Sequence, residues 1–253
     1  MIIAGTSIGA GMLGLPTISA GMWFFWSMLV LFGTWALMLL SSKALLEVNL
    51  HYEPGASFDT LVKDTLGQGW NIVNGLSVAF VLYVLIYAYV SGGGSIVRHT
   101  CEAVLGFEPD KTIAGILFAV VLTACVWWST WIVDRISVIM MVGMVITFAL
   151  SMTGMLTQIK TGFLLDAGGV EGKHVFCMVA LSTYLTSFCF HASVPSMVKY
   201  FGKQPLSINR CLVYGTVIAL VCYLVWIVAA DGNISREGFK SVIAAGGNVG
   251  DII

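Results

Sequence analysis

The chain contains 253 residues, of which 58% are hydrophobic and 10% are charged, and its formal net charge is -1. Soluble domains carry about 25% charged residues, so this composition excludes a soluble globular protein and predicts an all-α polytopic membrane protein. The near-neutral charge gives no reason to expect a nucleic-acid partner.

Membrane spans are predicted from runs without Asp, Glu, Lys or Arg. A spanning helix needs about 20 apolar residues, and the run from Met1 to Ser42 is long enough for two spans, with the segment from Pro16 to Gly21 as the turn. The sequence therefore predicts a single transmembrane domain over 1–253, with seven spans at about 1–19, 22–46, 72–97, 113–133, 136–157, 175–199 and 211–230.

Both ends of the chain interrupt the expected pattern of a complete membrane protein. Span 1 begins without a polar lead-in or a basic flank, since the first basic residue is Lys43. The C-terminal stretch GGNVGDII ends without a closing element. We therefore expect a fragment of a longer protein.

Two further helices are predicted outside the spans. The segment 57–67 has apolar residues at helical spacing with charged residues among them, which is typical of an amphipathic helix on the membrane surface. The segment 234–245 has similar character and predicts a helix in an outer loop. The apolar positions are Phe58, Leu61, Val62 and Leu66 in the first segment and Phe239, Val242 and Ile243 in the second.

Nothing in the sequence predicts a metal or cofactor site. The six cysteines form no C-x-x-C pair, and five of them lie in apolar spans, which is typical of small buried hydrophobic residues. We expect no metal ion and no cofactor. The cysteines are Cys101, Cys125, Cys177, Cys189, Cys211 and Cys222.

Span 1 contains a concentration of glycine in the segment 5–16, GTSIGAGMLGLP. Residues 9–14 match the dinucleotide-binding pattern G-x-G-x-x-G, but that site needs an acidic residue about 20 positions later, and the next one is Glu47. Helix packing through Gly5 and Gly9 explains only two of the four glycines. Since each glycine weakens a helix by about 1 kcal/mol relative to alanine, we predict an interrupted helix here.

A second interruption is predicted in span 6, within the segment 182–196, STYLTSFCFHASVPS. Small and polar residues precede Pro195, which lacks a backbone N–H and clashes with the preceding turn. Pro16 likewise follows the cluster in span 1. Interrupted helices at corresponding positions of two repeats indicate the binding site of a secondary transporter.

Spans 1, 3 and 6 have no Arg, Lys, Asp or Glu in their central parts. Interrupted helices supply partial charges instead, because free N–H groups attract a carboxylate and free C=O groups attract an ammonium group. This arrangement suits a zwitterionic amino acid and avoids burying a full charge in the membrane.

Four segments resemble the bacterial aromatic amino acid permeases, and among these the tryptophan-specific permeases more than the tyrosine permease. They are AGTSIGAGMLGLP, SFDTLVKDTLGQGWNIVNGLSVAFVLYVLIYAYVSGGGSI, SFCFHASVPSMVKYFGK and CLVYGTVIAL. The resemblance implies the five-plus-five inverted-repeat fold of the amino acid–polyamine–organocation transporters, with the first repeat and two spans of the second present here. It also implies uptake of tryptophan, or of tyrosine, across the bacterial inner membrane by symport with protons.

The resemblance also assigns roles to the two interruptions. The backbone of the first would bind the carboxylate and ammonium groups of the substrate, through Gly5, Thr6, Ser7, Gly9, Ala10 and Gly11. The second would contribute Ser187, Phe188, His191, Ala192 and Ser193. Phe188 and Phe190 either stack on an aromatic substrate or are ordinary packing residues.

Further positions are candidates for proton coupling or substrate contact. His191 is the only Asp, Glu, Lys, Arg or His in the middle of a predicted span, so proton relay and a neutral structural role both stay open. Glu47 lies at the inner end of span 2, as a coupling residue or as an ion pair with Lys43. Tyr83 and Tyr87 share a face of span 3 and either face the site or pack between helices.

The sequence departs from the family pattern in two places. Cys189 and Ala192 stand where family members often have glycine, and Met144 stands near a position where proton-coupled relatives tend to carry a lysine. Two alternatives stay open: an inactive truncated remnant of such a permease, and a seven-helix receptor or light-driven pump. Span 7 lacks the lysine that a retinal-binding pump needs.

Overall fold

The computed structural model describes residues 2–8, 10–128, 130–165, 173–235 and 237–239, and in this part of the chain every regular element is helical. Its helices are α1 (Ile2–Ser7), α2 (Ala10–Ser19), α3 (Trp23–Leu50), α4 (Phe58–Leu66), α5 (Gln68–Leu105), α6 (Lys111–Trp128), α7 (Thr130–Leu156), α8 (Thr161–Leu164), α9 (Lys173–Ser187), α10 (Ser193–Phe201) and α11 (Pro205–Asn233). They divide into two compact units, Met1–Asp64 with Phe148–Ile253, and Thr65–Thr147.

Several of these helices are suited to a bilayer, in which every backbone polar group needs a partner within the protein. Among the described residues, those long and apolar enough to cross a membrane are Trp23–Leu50, Gln68–Leu105, Val138–Leu156 and Pro205–Asn233. Shorter apolar helices cover Lys111–Trp127 and Phe176–Ser187. This all-helical, apolar architecture fits a multi-pass membrane protein.

The predicted spans 1 and 6 are each divided between two helices. Helices α1 and α2 occupy the segment 1–19, and α9 and α10 occupy the segment 175–199. The other predicted spans correspond to the single helices α3, α5, α6, α7 and α11.

The connection between α2 and α3 differs from the prediction in one respect. Pro16 lies inside α2, and the turn is formed by residues 20–22, where the Ala20 N–H donates to the Pro16 carbonyl at 2.9 Å. Trp23 then begins α3 with φ of 63°, a left-handed conformation that bulky residues rarely adopt. Its buried indole N–H donates to the Phe163 carbonyl at 2.9 Å.

Helix α11 lies at the centre of the first unit, where it packs against α1, α2, α3, α8 and α10. Helix α9 packs against α2 and α3. The buried face of α3 is partly polar, but its hydroxyls donate to carbonyls of the same helix, as Ser27 does to Trp23 at 2.6 Å and Thr34 to Val30 at 2.7 Å. These hydrogen bonds make the burial of polar side chains acceptable.

The segments outside the spans are only partly described. Helix α4 occupies the segment 57–67 for which an amphipathic helix is predicted, and Leu61 is its buried residue. Of the predicted outer loop helix 234–245, residues 237–239 are helical, and the Phe239 ring packs edge-on against Trp23 with centroids 5.9 Å apart. Residues 240–245 lie outside the described part of the chain.

The second unit contains a helical hairpin of α5 and α6. A Cβ atom built on Gly94 would lie 2.9 Å from the Cα of Gly115, so only glycine permits this approach of the two backbones. Gly106 ends α5 in the left-handed conformation, with φ of 71°, which is a common helix ending. Arg98 forms an ion pair with Glu108 of the connecting loop.

Candidate functional site

The first break separates α1 from α2. Helix α1 ends at Ser7 and α2 begins at Ala10, with a bend at Ile8 between them. The last carbonyl groups of a helix have no partner within that helix. The carbonyl of Ser7 is therefore free to accept a hydrogen bond from another element.

The second break separates α9 from α10. Helix α9 ends at Ser187, and α10 begins at Ser193 after residues 188–192. The N–H of Phe188 donates to the Leu185 carbonyl at 3.2 Å, which tightens the last turn of α9. Pro195 lies in the first turn of α10, where a backbone N–H would have no partner within the helix.

The two breaks meet at Tyr223 of α11. Its hydroxyl lies 2.8 Å from the Ser187 carbonyl oxygen and is also in contact with the Ser7 carbonyl oxygen. Ser7 and Ser187 are the last residues of α1 and α9. A single side chain thus joins the carboxyl-terminal ends of two half-helices that are 180 positions apart in the sequence.

The electrostatic character of this junction comes from helix ends. Neither break contains Asp, Glu, Lys or Arg, and the carboxyl-terminal end of a helix carries partial negative charge on its free carbonyl groups. Two such ends close together attract a hydrogen-bond donor or a cation. The Tyr223 hydroxyl is the donor that the structure provides.

The aromatic residues of the second break are in contact with protein groups. Phe188 is fully buried and packs edge-on against the Tyr223 ring, with centroids 5.0 Å apart. Phe190 is 1% exposed and stacks on the His191 imidazole at 5.1 Å. Both rings therefore contribute to packing, and a stacking role with a substrate stays a prediction.

Two polar atoms at the breaks are buried without a hydrogen-bond partner among the described residues. They are the Oγ of Ser7, whose side chain is 3% exposed, and the Nε2 of His191. Buried polar atoms are normally paired. By contrast, the Ser187 hydroxyl donates to the Thr183 carbonyl at 2.8 Å.

The remaining residues predicted for these breaks are only partly described. Gly9 lies outside the described residues. The backbone of Thr6, Ala10 and Gly11 is helical, but the burial of these three residues is not described. Gly5 and Ser193 are half-buried. Ala192 is exposed at the end of the second break.

Three predicted residues lie on other helices. Tyr83 and Tyr87 are on α5 of the second unit, and their side chains are 69% and 67% exposed. Glu47 is exposed on α3. The predicted ion pair between Glu47 and Lys43 is wrong, because no salt bridge joins these two described residues.

Sequence reasoning missed two buried residues of α11. Tyr223 was one of many aromatic residues in apolar sequence, and no local pattern marked it. Asp231 lay just beyond the predicted end of span 7, but α11 continues to Asn233, and the Asp231 side chain is fully buried. A buried acid in a membrane protein suggests function, and a longer predicted span would have included it.

The comparisons with known proteins identify the family and the relatives of the chain. A family model described as "Tryptophan/tyrosine permease family" matches residues 1–253. Tryptophan-specific transport proteins of Pseudomonas aeruginosa (strain UCBPP-PA14) and Shigella flexneri are 50% and 45% identical, over 100% and 98% of the chain and 61% and 60% of their own lengths. A tyrosine permease of Enterobacter agglomerans is 37% identical over 98% of the chain and 61% of its own length.

The matches cover nearly the whole chain but only part of each relative. The chain spans about three fifths of the length of the curated relatives it matches. No solved structure matches it significantly. The match of the family model over all 253 residues shows that the chain belongs to the tryptophan/tyrosine permease family.

Proposed function

We propose that the protein imports aromatic amino acids, tryptophan first and tyrosine second, across the bacterial inner membrane by symport with protons. The observation that carries the proposal is the junction at Tyr223, where two half-helix ends meet without any charged side chain. The substrate class follows from the names of the relatives, which are tryptophan-specific transport proteins and a tyrosine permease.

We further propose that the chain forms one transmembrane transporter domain of the five-plus-five inverted-repeat type. In that arrangement, the first helix of each repeat is interrupted. It consists of α1 and α2 in the first repeat, and of α9 and α10 in the second. Two features support it: both pairs are interrupted just after a serine, and both serine carbonyls face the same tyrosine.

The ends of the half-helices bind the two charges of the amino acid in this proposal. The carbonyl groups at the ends of α1 and α9 attract the ammonium group, and the free N–H groups that begin α2 attract the carboxylate. The backbone of the first break thus provides the cradle, through Gly5, Thr6, Ser7, Gly9, Ala10 and Gly11. The Ser7 hydroxyl, buried without a partner among the described residues, is available to the substrate.

The second break completes the site with Ser187, Phe188, His191, Ala192 and Ser193. The Phe188 ring is fully buried against Tyr223. In this proposal, the indole ring of a substrate therefore contacts Phe188 only after the residues of the second break move apart. The contact of Tyr83 and Tyr87 with the substrate stays a prediction from the sequence.

His191 is our first candidate for the coupled proton, and Glu47 is the second. The Nε2 of His191 is buried in the second break without a partner in the described part of the chain. Histidine changes charge near neutral pH, so protonation at this atom would alter the charge of the break. Glu47 is exposed near the end of α3.

The proposal is tested by uptake of radiolabelled tryptophan into proteoliposomes that contain the purified chain. With an inward proton gradient, we expect saturable uptake that tyrosine inhibits, that leucine does not inhibit, and that a protonophore abolishes. Absence of saturable uptake would contradict the proposal and favour an inactive remnant of a permease.

The same assay tests the coupling residue. We expect His191→Gln to reduce gradient-driven accumulation at least tenfold while tryptophan exchange across the membrane is retained, because exchange needs no net proton movement. His99→Gln is the matched control, since His99 is exposed on α5. Unchanged accumulation in His191→Gln would exclude His191 and leave Glu47.

A further inference from the structure

We propose that Tyr223 is a positioning residue, whose hydroxyl holds the carbonyl groups of Ser7 and Ser187 in the geometry that binds the substrate ammonium group. This inference rests on the proposed function, because it assigns a role within the same site. Neither the family match nor the names of the relatives assigns any role to Tyr223.

The position of the hydroxyl is fixed by packing. Tyr223 is fully buried, lies in the middle of the longest helix of the first unit, and has its ring held edge-on by Phe188. Helix α11 packs against α1 and α10 as well as α3. Because α11 is long and packed on several sides, the Tyr223 hydroxyl is held in place, and it can fix the positions of the ends of α1 and α9.

The hydrogen-bonding capacity of the hydroxyl leaves room for a second donor. A tyrosine hydroxyl carries one hydrogen, yet two carbonyl oxygens lie within its reach. At any moment the hydroxyl can therefore donate a full hydrogen bond to only one of the two carbonyl oxygens, and the other can accept a hydrogen bond from a second donor. An ammonium group has three hydrogens to donate and is attracted by the negative ends of both half-helices.

This arrangement differs from that of an ordinary buried tyrosine in the same unit. Tyr184 of α9 is equally buried, but its hydroxyl has no hydrogen-bond partner among the described residues and forms no hydrogen bond to the carbonyls of either break. Tyr184 therefore provides a matched control for the loss of a buried hydroxyl.

The experiment measures binding of two ligands to the purified chain in lipid nanodiscs by titration calorimetry. The ligands are tryptophan and indole-3-propionate, which lacks only the ammonium group. We expect Tyr223→Phe to raise the Kd for tryptophan about tenfold, because the Ser7 and Ser187 carbonyl groups are then no longer held in the geometry that binds the ammonium group. The Kd for indole-3-propionate should change less than threefold, and Tyr184→Phe should leave both values within threefold.

Several outcomes would overturn the inference. Equal weakening of both ligands by Tyr223→Phe would mean that the hydroxyl only maintains packing, and no weakening of either would mean that it has no role. If the variant does not fold, the unmodified chain still decides, since equal affinity for the two ligands would exclude ammonium recognition at this junction. Failure of the unmodified chain to bind tryptophan at all would instead contradict the proposed function, and this inference with it.

Discussion

The two units of the molecule contrast in where their helices are interrupted. In the second unit, Gly92, Gly93 and Gly94 are consecutive, and α5 nevertheless continues from Gln68 to Leu105. In the first unit, residues 188–192 contain no glycine, and the helix is interrupted there. Glycine content by itself therefore does not determine where a membrane helix breaks.

Packing partners explain the contrast. Gly93 faces the ring of Phe118, and Gly94 faces the backbone of Gly115, so α6 supports α5 where its glycines weaken it. In the first unit, the Tyr223 hydroxyl contacts one carbonyl group at each break, that of Ser7 and that of Ser187. A glycine cluster is compatible with a continuous helix if a neighbour packs on it, and an interruption is stable if its polar groups find partners.

The largest loss of stability is expected for a phenylalanine that is buried in the first unit, compared with one that is exposed in the second. Phe188→Ala removes a fully buried ring that packs on Tyr223 and should lower the free energy of unfolding by about 3–5 kcal/mol. Phe80→Ala, at a 68% exposed position of α5, should cost less than about 1 kcal/mol. Unfolding by sodium dodecyl sulfate in mixed micelles measures both, and equal losses would contradict the contrast between the units.

An intermediate effect is expected within the glycine cluster of α5. The new methyl group of Gly94→Ala meets the backbone of Gly115, and overpacking of this kind costs about 1–3 kcal/mol. Gly92→Ala is the control, because nothing lies within 4 Å of its added Cβ, so the better helix propensity of alanine should make it neutral or slightly stabilising. Thermal unfolding in nanodiscs compares them; a Gly94→Ala variant as stable as Gly92→Ala would show that α6 does not support the cluster.

The smallest effect concerns the start of α6. The Asp110 carboxylate accepts a hydrogen bond from the Thr112 N–H at 2.8 Å, and this bond lowers the pKa of Asp110. Because the folded-state pKa is the lower one, the stabilisation is present above the unfolded pKa of about 3.9 and is lost as pH falls through the folded pKa. Asp110→Ala should therefore lower the melting temperature slightly at pH 7 and not at strongly acidic pH. If the melting temperatures of the unmodified chain and of Asp110→Ala still differ in strong acid, the charge of Asp110 does not cause the difference. Asp110→Asn keeps an oxygen acceptor, so its melting temperature at pH 7 should lie between those of the unmodified chain and of Asp110→Ala.

The sequence allowed prediction of the features that depend on neighbouring residues. The shortage of charge predicted an all-helical membrane protein, and the polar, small-residue clusters before Pro16 and Pro195 predicted both interruptions. The segments quoted for the resemblance identified the permease family. The same local reasoning placed a turn at Pro16, which lies in α2, and paired Lys43 with Glu47, which form no salt bridge.

Only the tertiary structure decided which groups meet. Composition and helical spacing are properties of about 20 consecutive residues, and they determined where α1, α9 and α11 lie along the chain. The contact of Tyr223 with Ser7 and Ser187 depends instead on how these three helices are rotated and aligned against each other. A shift of one residue in α11 turns its side chains by about 100°, so the junction of the two breaks is a result of packing that no local pattern specifies.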